Sequence, residues 1–275
     1  MTLTTDDFQF VESIVRTHSG NTLADHRRDM VAYHLELLAR QRKYSSVSDL
    51  IYRVRTQTNI NLEHEIVSSL LNHETSFFRD VGPFRFLREY VEDLLSITPA
   101  DYPLNMWSAG CSTGQEPYSM AMAVHATVMA TGRYVSILAS DLSVPHLERA
   151  TNGFYSKYEV NRGLPAKMLL RYFKEREEGW VVREEIRNMV EFRRINLATP
   201  WPHMPSMDVV FLRNVLMYFD LHSRQEIVSR VADTMRPNGI LFLGGSESSD
   251  ILGPHFRRSK SGAYVLDRCI KAPGG

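Results

Sequence analysis

The order of apolar patterns in the chain predicts an α/β protein: a helical N-terminal region followed by a mostly parallel sheet. Three observations carry this. Residues 1 to about 98 repeat apolar side chains at helical spacing. After Pro103 short apolar runs alternate with helical stretches, the pattern of strands joined by crossover helices. The stretch 154–190 fits that alternation poorly and reads as a small, partly antiparallel insertion on the sheet edge.

In the first region, Asp6 or Asp7 can cap a helix ending near Gly20. A second helix runs from about Leu23 to Lys43. Ser48 can cap a third, Asn59 or Asn61 a fourth, and a fifth follows Gly82-Pro83 from Phe84 to Leu95. Residues 98–103 contain two prolines and no periodicity, so they read as a linker between a helical domain, 1–98, and a second domain, 99–275. In that second domain the runs Leu104 to Trp107, Val135 to Ala139, Val190 to Ile195, Asp208 to Leu212, Ile240 to Leu243 and Ala263 to Leu266 are the expected strands. Helices are expected at 116–131, 144–151 and 223–235. Inside the insertion, Trp180 to Arg183 reads as a strand.

Composition narrows the function classes. Lys+Arg and Asp+Glu both total 32, so the formal net charge is zero and gives no support to nucleic-acid binding, which leaves a basic excess. Cys111 and Cys269 stand far apart and neither belongs to a metal-type pair, so no metal is expected. The start lacks a signal-peptide pattern and no apolar run is long enough to cross a bilayer, which makes a reducing cytoplasm the expected location. A monomer is the expected state.

Two features suggest a ligand. The run Met106 to Ala109 leads into Gly110-Cys111-Ser112-Thr113-Gly114-Gln115-Glu116-Pro117, a strand, a glycine-containing turn and a helix start. Such a turn lets a ligand approach the backbone. Thr113 and Glu116 also have capping-box spacing, which accounts for the same residues structurally. The second predicted strand runs into Ser140-Asp141, where a nucleotide-binding fold places a carboxylate on the ribose hydroxyls; Asp141 could equally cap the following helix. Together they point to a ligand containing a nucleoside. The turn lacks a full G-x-G-x-x-G, which counts against a dinucleotide.

Four longer motifs carry a resemblance. Asn72 to Asp80, N-H-E-T-S-F-F-R-D, resembles the N-E-T-x-F-F-R-D signature of the chemotaxis receptor glutamate methyltransferases, the CheR family. Trp107 to Ser119 resembles that family's W-S-A-G-C-S-T-G-E-E-P-Y-S. Phe211 to Asp220 resembles F-x-R-N-V-L-x-Y-F-D, and Pro237 to Glu247 resembles P-x-G-x-L-x-x-G-x-S-E. The motifs span both regions in the family's order. The resemblance implies a class I, Rossmann-like S-adenosylmethionine methyltransferase sheet, with a helical N-terminal domain and an inserted β-subdomain at about 154–190.

The resemblance also implies the cofactor S-adenosylmethionine, with S-adenosylhomocysteine as product, and a site. Thr75 and Arg79 are expected on the methionine part, with Arg79 facing its carboxylate. Glu116 is expected on the α-amino group, Asp141 on the ribose, and Asn196 and Leu197 beside the adenine, with the adenosine over Gly110. Arg213 and Asn214 are expected to floor the site near the methyl group, and Tyr218 to lie beside it. His73 stands where the family usually has Asn, and Gln115 replaces the first Glu of the usual pair.

The implied partner is the acidic helical bundle of chemoreceptors. Arg40, Arg42, Lys43, Arg53 and Arg55 surround a single acid, Asp49, in the sequence and form a possible docking face or a solvated helix surface. The stretch Lys174 to Trp180 is shorter than the glycine-bearing loop with which some relatives grip a receptor tail, so tail-independent action is expected. Methyl transfer to another carboxylate, or a non-catalytic S-adenosylmethionine-binding module, are the other readings the sequence leaves open.

Overall fold

The computed structural model describes residues 3–57, 59–71, 74–253, 255–259 and 262–267. Five helices come first: α1 (Thr5–Ser19), α2 (Arg28–Gln41), α3 (Val47–Thr56), α4 (Ile60–Leu70) and α5 (Val81–Ile97). Their caps fall close to the expected positions. Thr4, not Asp6 or Asp7, caps α1 by accepting the Asp7 N–H, and Ser46, not Ser48, accepts the Asp49 N–H at α3. Asn59 caps α4. Helix α5 starts three residues before the expected Phe84, because Pro83 falls in its first turn, where a missing N–H costs nothing.

The main sheet contains β1 (Leu104–Ala109), β2 (Val135–Asp141), β6 (Val190–Arg194), β7 (Met207–Leu212), β8 (Met235–Leu243), β9 (Phe256–Arg258) and β10 (Tyr264–Leu266), in the order β6-β2-β1-β7-β8-β10-β9. β6, β2, β1, β7 and β8 pair in parallel, and β10 runs antiparallel to both of its neighbours. The crossover helices are α6 (Gln115–Thr131), α7 (Val144–Asn152) and α11 (Leu221–Thr234). This is the doubly wound, Rossmann-like arrangement, with the order reversing between β1 and β7. β8 begins at Met235, ahead of the expected Ile240: a register irregularity between Met207 and Val209 admits Pro237 and the left-handed Asn238 without a ladder hydrogen bond at each position.

Residues 153–188 leave the main sheet. β3 (Phe154–Ser156), β4 (Phe173–Arg176) and β5 (Gly179–Val182) form a separate antiparallel sheet in the order β3-β5-β4, accompanied by α8 (Lys157–Asn161), α9 (Ala166–Tyr172) and α10 (Glu184–Arg187). The insertion makes a sheet of its own, and β6 is the edge strand of the main sheet.

Every residue of β1 and β7 is buried, as a strand covered on both faces requires. Alternate side chains feed different cores. Leu104 and Met106 join Phe84, Leu87, Val91 and Leu95 of α5 and Tyr118 and Met120 of α6 on one face. Trp107 and Ala109 join Ile227, Val228 and Val231 of α11 on the other. Helices α1 to α4 have their own core around Phe8, Val11, Leu35, Leu50 and Ile66. Among the described residues no helix is long and apolar enough to cross a membrane.

Four of the five residues of the basic cluster pair with acids in space. Arg40 pairs with Glu36 (2.5 Å), Arg42 with Glu65, Arg53 with Asp49 (3.6 Å) and Arg55 with Asp7 (3.0 Å). The sequence window missed three of these acids, because one stands a turn earlier and two come from α1 and α4.

Candidate functional site

One cleft opens beyond the carboxyl ends of β1, β2 and β7, at the point where the strand order reverses, which is where open α/β sheets take ligands. Thr75, Arg79, Gly110, Glu116, Asp141, Asn196, Leu197, Arg213, Asn214 and Tyr218 all line it. His73 lies outside the described residues.

Asp141 ends β2 with its carboxylate already aimed. Oδ2 accepts the Ser112 N–H at 2.8 Å and Oδ1 the Ser143 N–H at 2.9 Å. Each oxygen keeps a further lone pair, so a vicinal diol can be held without moving the side chain. Asp141 does not cap α7, whose N-cap Ser143 has no side-chain cap. Thr113 and Glu116 form no capping box either: Gly114 is the N-cap of α6, at φ 93°.

Gly110 has φ +76°, and a Cβ there would stand 2.5 Å from Val215 Cγ2. The close approach that requires glycine is therefore made at least in part by Val215, a neighbour within the protein.

Glu116 is freed from capping for another task. It accepts from Ser108 Oγ at 2.8 Å and from Arg213 Nη1 at 3.1 Å. Burial pushes its carboxyl above the ordinary range, and the Arg213 charge only partly offsets this. The side chain of Arg213 is 1% exposed and its Nη2 also donates to Asp80 at 2.7 Å. The two carboxylates hold the guanidinium under the cleft, over Phe84 and Phe211. Arg79 donates to the Glu74 carbonyl at 3.1 Å, not to Asp80, which serves Arg213.

Phe78, Asp80, Ser112 and Asn214 have positive φ, four of the six such non-glycine residues described. All four belong to the two segments and the turn that shape the cleft, and backbone strain of this kind gathers at functional sites.

Several lining residues lay outside the sequence reading: Ser19, Asn21, Glu74, Ser112, Leu142, Ile195, Val215 and Phe219. Ser112 is signalled by its place in the glycine turn. Ser19 and Asn21 come from the N-terminal helical region, and nothing in their local sequence marks them.

S-adenosylmethionine, the cofactor the resemblance implies, needs a diol acceptor, an anion for an ammonium, a cation for a carboxylate and a polar partner for a purine. The cleft supplies the pre-aimed Asp141, the largely buried Glu116, Arg79, and a buried, unpartnered Asn21 Oδ1. The donor set fits the group.

The family described as CheR methyltransferase, SAM binding domain, matches residues 73–265. The chain is 34% identical to chemotaxis protein methyltransferase 1 of Pseudomonas aeruginosa over 95% of this chain and 97% of that one. It is 34% identical to chemotaxis protein methyltransferase Cher2 of Pseudomonas putida over 91% and 93%, and 32% identical to the Escherichia coli chemotaxis protein methyltransferase over 95% and 91%. With the Rossmann-like sheet and this cleft, the chain belongs to the CheR methyltransferase family and is an S-adenosylmethionine-dependent methyltransferase.

Proposed function

We propose that the chain esterifies glutamate side chains on the cytoplasmic helical bundle of chemoreceptors, acting as a monomer in the cytoplasm. The observation that carries this reading is the convergence of Arg79, Glu116, Asp141, Arg213, Asn214 and Tyr218 on one cleft.

When bound, S-adenosylmethionine supplies an activated methyl group on a sulfonium. The receptor glutamate, with an unperturbed pKa of about 4.3, is ionised at neutral pH, so no general base is needed. The chain's residues have to orient and desolvate. Asp141 holds the ribose hydroxyls, with Gly110 beneath the adenosine. Thr75 and Arg79 hold the methionine end, Arg79 through a charge-assisted pair with its carboxylate. Glu116 faces the α-ammonium through lone pairs left by Ser108 and Arg213. Asn196 and Leu197 wall the adenine end. Arg213 and Asn214 floor the reacting region, and Tyr218 orients the incoming carboxylate.

Two finer points belong to this reading. Cores divide the chain near residues 71–77, since α5 packs with the sheet, so the methyltransferase domain starts ahead of the prolines at 99 and 103. The loop between β4 and β5 is only Glu177-Glu178, which leaves little to grip a receptor tail and supports tail-independent methylation. Equal methylation of an intact receptor and one cut short at its C-terminal tail tests that point, and a large loss for the shortened receptor contradicts it.

A further inference from the structure

We propose that Asn21, in the segment between α1 and α2, recognises the adenine base and makes the cleft selective for adenine over other purines. This rests on the reading that S-adenosylmethionine occupies the cleft.

Asn21 lines the cleft and is 9% exposed, and its Oδ1 is buried with no hydrogen-bond partner. A buried carbonyl oxygen left unpaired costs free energy, so such atoms mark places where a ligand completes the bonding. Of the described side chains with a buried unpartnered nitrogen or oxygen, only Asn21 and Arg213 line this cleft. The Arg213 atom is a donor, so Asn21 Oδ1 is the sole orphaned acceptor there.

The asparagine expected beside the adenine is already bonded within the protein. Asn196 Nδ2 donates to the His18 carbonyl at 2.9 Å, and its Oδ1 accepts the Ala198 N–H at 2.9 Å. Both ends of its amide are engaged in fastening α1 to the loop after β6. It shapes the wall with one N–H and one lone pair to spare, whereas Asn21 Oδ1 has no partner at all.

Asn21 is held where it is. Gly20 ends α1 at φ +72°, and a Cβ there would come within 2.5 Å of the Ala198 Cβ. Asn21 pairs with Phe219 in an antiparallel bridge, and Thr22 N–H donates to the Tyr218 carbonyl at 2.9 Å. The segment lies against the Asn196–Ala198 loop on one side and Tyr218–Phe219 on the other, which brings Asn21 to the adenine end.

A neutral amide offers an acceptor beside a donor. Adenine presents the complement, an amino donor next to a ring-nitrogen acceptor. Hypoxanthine replaces that amino group with a carbonyl, so pairing it would require the Asn21 amide to turn over and exchange its oxygen and nitrogen. Sites built to hydrogen-bond one group reject analogues that lack it.

Calorimetry of S-adenosylhomocysteine and S-inosylhomocysteine against the wild type, Asn21→Ala and Asn21→Asp tests this. The wild type is expected to prefer the adenosyl ligand by about tenfold or more, the equivalent of roughly 1.4 kcal/mol. Asn21→Ala is expected to lose most of that preference, chiefly by binding the adenosyl ligand more weakly, and Asn21→Asp, which keeps an acceptor, to retain a preference. The ratio of affinities does not depend on how much of a variant is folded. An unchanged ratio in Asn21→Ala, including equal weakening of both ligands, overturns the proposal. A wild type that binds neither ligand overturns the cofactor placement on which it rests.

Discussion

Glu247 accepts the backbone N–H of Asn214 through Oε2 at 2.9 Å. The same carboxylate accepts the N–H groups of Gly244 (2.6 Å), Val215 (2.9 Å) and Leu216 (2.8 Å). One side chain from the loop after β8 therefore pins the turn after β7, where Asn214 has φ 60° and which leads directly into Tyr218. Glu247→Ala strands these donors and is expected to cost about 1–3 kcal/mol of stability, read by chemical denaturation. Turnover is expected to fall further than cofactor affinity, because the turn carries Asn214 and Tyr218. Wild-type stability and turnover would mean the turn holds itself.

Asp141→Ala is expected to weaken S-adenosylhomocysteine binding by about 1–3 kcal/mol, the cost of a lost partner for a buried diol. Asp141→Asn, which keeps one acceptor oxygen, is expected to lose less. Calorimetry showing unchanged affinity in the alanine variant rejects the ribose at this carboxylate.

Arg79 and Tyr218 are expected to separate binding from turnover. Arg79→Ala loses cofactor affinity, since it would remove a contact made before reaction. Tyr218→Phe loses turnover at nearly unchanged affinity, since the hydroxyl would act beside the reacting centre. Equal binding losses with unchanged single-turnover rates would show the two roles are misassigned.

Glu116 sets a pH dependence. Burial raises its carboxyl above the ordinary range, so it protonates at a higher pH than an exposed glutamate. The ionised form is the one that pairs with an ammonium. Cofactor affinity is therefore expected to fall as pH drops through that raised range, and binding there to release protons. Glu116→Gln is expected to flatten this dependence. A wild-type affinity that rises on acidification contradicts the pairing.

How much of this the sequence discloses depends on distance along the chain. The buried strands are legible because both faces are covered, which leaves near-continuous apolar runs such as Val209 to Leu212. β9 is not: Phe256-Arg257-Arg258 is a three-residue edge strand with one apolar side chain. The caps of α1 and α3 shift by two or three positions because several Ser, Thr and Asp residues compete at those helix starts. Many of the cleft's lining residues could be named from the sequence, but not Ser19 or Asn21, and not the bonding of any. Arg213 meets Glu116 and Asp80 across 97 and 133 residues of chain, and no local pattern encodes such pairs. The acids beside the basic residues are hidden for the same reason, since Asp7 and Glu65 reach Arg55 and Arg42 only once the helices pack.

Methyl transfer from S-adenosylmethionine to receptor glutamates can be measured directly. Incubating the protein with methyl-labelled S-adenosylmethionine and cytoplasmic receptor fragments, then treating the products with base, tests it directly. Label is expected on the receptor, released by base as methanol, with mass spectrometry placing methyl esters on glutamates of the helical bundle. Label that is stable to base, or confined to something other than glutamate, would contradict it.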